Sequence, residues 1–182
     1  MRLFGDRSTD RRRRAAAYAR ALFIEPAAAD VEWLAAVAAG GDVDHAAWEW
    51  RYARRALGLL VAQRNALDDL TPSMVAHEVN EGIARDPQIA VGMLPLAQRQ
   101  FNERLSAYRD ALASRSGEGT GTRVARILLA FAGTIRPKPD DLAHAAETLT
   151  RCLEETGAAL EAAFGSPSLP DDLPPSAVAR HS

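Results

Sequence analysis

A chain of 182 residues, 47% hydrophobic and 25% charged, has globular composition and enough length to close a core without disulfides or a structural metal. The formal net charge of -2 offers no global attraction to nucleic acid. The lone Cys152 excludes a disulfide framework, and no apolar stretch reaches the roughly 20 residues that span a bilayer, so a reducing, cytoplasmic location is expected.

The first predicted helix starts near Ser8 or Thr9 as cap and runs to about Ile24, with Ala15, Tyr18 and Leu22 on one face before Pro26 interrupts it. A short alanine-rich helix follows over about 27–39, with Val31, Leu34 and Ala38 inward and Gly40-Gly41 as its stop. The third is the clearest. From Asp44 as cap to about Leu67, residues Ala46, Trp50, Ala53, Leu57, Leu60 and Leu67 fall at three- and four-residue steps. Arg64 interrupts that stripe and has Asp68 one turn on as its expected partner. Thr71, followed by Pro72, is the predicted cap of the fourth helix, which ends by Asp86-Pro87.

A loop or short turn with Gly92 and Pro95 leads to the fifth helix, whose stripe of Leu94, Phe101, Leu105, Tyr108 and Leu112 continues to about Ser114. After the linker SRSGEGTGT, Thr122 is the predicted cap of a sixth helix carrying Val124, Ile127, Leu128 and Phe131 and stopping at Gly133. The seventh spans about 139–164, with Leu142, Ala146, Leu149, Leu153 and Leu160 in step and Cys152 beside them as an inert core thiol. No segment alternates with period two. The fold class is therefore all-α: a bundle of six or seven helices over 1–165, with helices three, five and seven as the main core elements and a Pro-containing tail over 166–182.

The functional signals are sparse. His45 lies four residues before Glu49, and His144 three before Glu147, so His45, Glu49, His144 and Glu147 are the candidate ligands of a metal-dependent enzyme built in the bundle. No Glu-x-x-His motif accompanies them, which argues for surface pairing, and neither a cofactor nor a catalytic residue is expected. No nucleophile turn or phosphate-binding loop occurs either.

Residues 1 to 20 hold seven arginines, and the run Arg11, Arg12, Arg13, Arg14 is the candidate for a nucleic-acid-binding regulator or an anionic surface. Four consecutive helical residues point in four directions, so a solvated helix start is the simpler reading and nucleic acid is not the expected partner. Thr71 to Gly82 has the apolar spacing of a first helix in a helix-turn-helix, but Asp86-Pro87 breaks the chain where a recognition helix would run. Lys138 is the single lysine among 22 basic residues and alanine is abundant, a pattern that a high-GC bacterial coding bias produces.

The segment from Trp48 to Arg55 mixes rings with cations. Trp48 and Trp50, two positions apart, point about 200° from each other on a helix. Trp50 joins the main stripe, whereas Trp48 lies with Tyr52, Ala56 and Leu59 on a second one. Helix three must then be covered on both sides, or shared with another chain. Trp48, Tyr52, Arg55 and Leu59 are accordingly the candidate interaction residues of a protein-interaction or self-associating module, with a homodimer or another protein as partner.

Overall fold

The computed structural model describes residues 3–66, 68–115 and 117–165, with side chains from Thr9 onward. These form α1 (Leu3–Leu22), α2 (Ala28–Val37), α3 (Val43–Asn65), α4 (Leu70–Ala84), a short 3-10 turn (Val91–Met93), α5 (Leu94–Ala113), α6 (Thr120–Ala132) and α7 (Pro139–Phe164). The described residues contain no strand, and none of their helices is long and apolar enough to cross a membrane. The stretch expected to be a tail, 166–182, lies outside the described residues.

Several helix starts differ from the sequence expectation, each for a local reason. α1 begins at Leu3, so Ser8 and Thr9 are interior positions; their helix propensities are only a few tenths of a kcal/mol below those of good formers, which does not stop a helix. Asp42 rather than Asp44 caps α3. Gly40 and Gly41 turn the chain at φ of 63° and 90°, leaving Asp42 extended so that its carboxylate accepts the His45 amide N–H at 2.9 Å. Asp44 falls in the first turn, where the helix dipole favours it.

Asp68 is not Arg64's partner. Its carboxylate accepts the Thr71 amide at 2.7 Å and the Thr71 hydroxyl at 3.0 Å, so Asp68 provides the cap of α4 that the sequence suggested for Thr71. α6 begins two residues before Thr122 and stops at Gly133 as the sequence indicates. Gly133 has φ of 121°, and a Cβ there would stand 2.8 Å from the Ala38 carbonyl oxygen. Only glycine allows this approach between the ends of α6 and α2.

α3 is the axis of the molecule and packs against α1, α2, α4, α5, α6 and α7. Both of its apolar strips are interior: Trp50, Ala53, Leu57 and Leu60 on one side, Tyr52, Ala56 and Leu59 on the other. The first strip faces α2, whose Asp30 carbonyl accepts the Trp50 indole N–H at 3.0 Å. The second is covered within the same chain by α5, where Gln100 accepts the Tyr52 hydroxyl at 3.2 Å. A dimer is therefore not what buries it.

α1 approaches α3 at Gly58, whose carbonyl accepts the Tyr18 hydroxyl at 2.7 Å and whose missing side chain makes room for Leu22. α6 contributes more than its short apolar run suggested. Val124, Ala125, Leu128, Leu129 and Ala132 are all buried, and the helix packs along α7.

Candidate functional site

α3 carries charge into the core. Glu49 and Arg104 are 2% and 7% exposed and form a two-pronged ion pair, with Arg104 Nη2 at 2.6 Å from Glu49 Oε1 and Nε at 3.1 Å from Oε2. The guanidinium also stacks 4.2 Å from the Phe131 ring centroid, which helps a desolvated cation. Both Glu49 oxygens thus accept from Arg104 rather than facing His45.

His45 instead reaches the Phe131 carbonyl oxygen through Nε2 at 3.1 Å, and His144 lies 4.3 Å from the Trp33 ring. Glu147 is exposed. Among the described residues, no three His, Cys, Asp or Glu side chains are grouped so as to hold a metal ion.

Arg55 is the second buried cation, 2% exposed. Its Nη2 donates to Asp86 Oδ2 at 2.9 Å while the guanidinium lies over the Phe23 ring at 4.1 Å. Burial lowers the Arg55 pKa, and Asp86 opposes the shift. Nε and Nη1 have no hydrogen-bond partner, and the aromatic faces take the place of acceptors. Asp86 also accepts the Gln88 amide at 3.1 Å, so Arg55 anchors the start of the link between α4 and α5.

Of the four candidate interaction residues, Arg55, Tyr52 and Leu59 are interior side chains. Burial also raises the Tyr52 pKa. Trp48 alone of the four reaches the surface, half-buried.

What Trp48 borders there is a groove of about 230 Å³, lined also by Ile89, Met93, Leu96, Ala97 and Gln100. Val91 beside it is 94% exposed and Met93 50%. The Trp48 wall is held in place by the Arg51 guanidinium 4.8 Å from its ring centroid, and Arg51 is in turn fixed on Glu25 at 2.7 Å. The twelve residues from Pro87 to Gln98 carry no charge in a chain that is 25% charged. That run is the signal that marks the groove in the sequence; read as a plain turn, it passes unnoticed.

The Arg11 to Arg14 side chains are exposed and diverge. Arg12 reaches Glu78 at 3.5 Å, while Arg13 and Arg14 both pair with Asp10, at 2.5 and 2.7 Å. Three of the four are thereby paired with carboxylates. Cys152 is buried, and desolvation pushes its pKa up to about 11, so it is a neutral thiol at physiological pH. Set against protein-family models, curated proteins and solved structures, the chain matches none.

Proposed function

We propose that this chain is a protein-interaction module that associates with a second copy of itself through the uncharged turn between α4 and α5. The carrying observation is the exposure of Val91, at 94%, and Met93, at 50%, beside the groove walled by Trp48, Ile89 and Leu96. A two-fold interface presents one patch to itself, so that patch must hold both projection and hollow. Val91 is the projection and the groove the hollow. Two copies of an uncharged patch also meet without opposing like charges, whereas a strongly charged partner finds no counter-charge there.

The magnitude sets the strength. Burying a large apolar side chain is worth about 1.5–3 kcal/mol, so Val91 and half of Met93 from each subunit contribute on the order of 5 kcal/mol. Association itself costs roughly 4–15 kcal/mol. The reading is therefore a weak, concentration-dependent dimer, in a reducing cytoplasm that suits the unpaired Cys152.

Sedimentation velocity from micromolar to near-millimolar protein tests it. The wild-type coefficient should rise with concentration, while Val91→Asp remains monomeric throughout. A wild type that stays monomeric, or a variant indistinguishable from it, overturns the reading.

A further inference from the structure

The sulfur atoms of the chain sit in contrasting environments. Cys152 is buried, and desolvation keeps its thiol protonated at physiological pH, so the thiolate that reacts with peroxides is scarce. A thioether has no proton to lose. Its lone pair is nucleophilic at any pH, and access decides which methionine reacts.

Of the chain's three methionines, Met74 and Met93 have described side chains. Met74 on α4 is partly buried and packed on the core. Met93 is 50% exposed, is not among the side chains packed on the core, and lines the groove with Trp48, Ile89 and Leu96. The most accessible described thioether therefore lies in the apolar patch.

We propose that Met93 is an oxidation site at which a peroxide turns self-association off; this rests on the dimer proposed above and adds its regulation. The Met93 sulfur donates a lone pair to one oxygen of hydrogen peroxide as the O–O bond breaks. An S–O bond forms, the sulfur is oxidised by two electrons, and the second oxygen leaves as water with both peroxide protons. The product is a sulfoxide, polar where the thioether was apolar.

The run from Pro87 to Gln98 has no cation to receive that oxygen, so burying it against a second copy removes its water without supplying a charged partner. A two-fold interface holds Met93 twice, which doubles the effect. Because the dimer is weak, the free monomer keeps Met93 open to the oxidant.

Sedimentation velocity before and after limiting hydrogen peroxide, with peptide mass spectrometry of the same samples, tests the site. One added oxygen should appear on Met93 before Met74, and association should weaken about tenfold or more with the melting temperature unchanged. Met93→Leu, which keeps an apolar side chain without sulfur, should associate like the untreated wild type and continue to do so after peroxide. Met93→Gln, polar without oxidation, should associate as weakly as the oxidised wild type. Oxidation of Met74 first overturns the proposal and leaves the dimer reading standing; so does an oxidised wild type that associates undiminished, or Met93→Leu that loses association on treatment. A wild type that is monomeric before any treatment overturns both.

Discussion

The middle of α3 and the turn that follows α4 distribute charge in opposite ways, although Trp48 belongs to both. Along α3, Glu49 and Arg55 are buried and answered by Arg104 and Asp86. Across the turn, Val91 and Met93 are open to solvent and no charged residue occurs between Asp86 and Arg99. Buried ion pairs contribute little net stability, but breaking one leaves a charge stranded away from water. In the conspicuous aromatic and cationic segment, Glu49, Trp50, Tyr52 and Arg55 are used inside the chain, while Trp48 borders the groove. The proposed self-association is assigned to the plainer segment next to it.

The largest expected effect tests the interior half of that contrast. Glu49→Ala strands the Arg104 cation and should destabilise the fold by about 3–5 kcal/mol, a fall of roughly 10 °C in melting temperature at this chain length. Replacing both partners, Glu49→Leu with Arg104→Leu, should recover most of the loss in thermal melts. A double variant as unstable as the single one would show that the pair is not what holds this region together.

Asp68 is the intermediate case, a surface carboxylate whose work is done through hydrogen bonds. Asp68→Ala removes the α4 cap and should cost about 1 kcal/mol at neutral pH. The Thr71 amide bond holds the Asp68 carboxyl below its ordinary pKa. A depressed carboxylate stabilises the fold above its unfolded-state pKa, near 3.9, and that contribution is lost as pH falls through the folded-state value. Wild-type and variant melting temperatures should therefore converge as pH drops below about 4, and a gap that stays constant in acid would contradict the cap. The smallest effect belongs to the turn: Val91→Asp should change monomer stability by less than about 0.5 kcal/mol while removing self-association. A large loss of stability would show that Val91 packs within its own chain.

The helices were legible because their cues are local. Pro139 with Asp140 and Asp141 fixes the start of α7, and Gly133 the end of α6. The opposed strips of α3 follow from the positions of Trp48 and Trp50 alone, and α3 is indeed covered on both sides. Which partner covers them was not legible, because Glu49 meets Arg104 from 55 positions away and Tyr52 meets Gln100 from 48. Periodicity carries no information about such pairings. The cap at Asp68 is not legible from spacing, because the same carboxylate stands four residues from Arg64 and three from Thr71. The groove was missed because exposure of Val91 depends on how α4 and α5 dock, although the uncharged run was there to be seen.

The position of α3 at the axis has a consequence for the order of events during synthesis. Arg54 on α3 bonds Glu155 on α7, 101 residues later, at 2.8 Å, and the cover for Tyr52 and Glu49 arrives only with α5. A nascent chain that has emerged only through α4 therefore has α2 against the Trp50 strip, but an uncovered Tyr52 and an unanswered Glu49. The chain is therefore expected to commit to its final topology late, when α7 leaves the ribosome. Pulse proteolysis of ribosome-arrested chains of increasing length should show protection of α3 appearing only after Phe164 has cleared the exit tunnel; protection at an earlier length would place the commitment in the N-terminal helices instead.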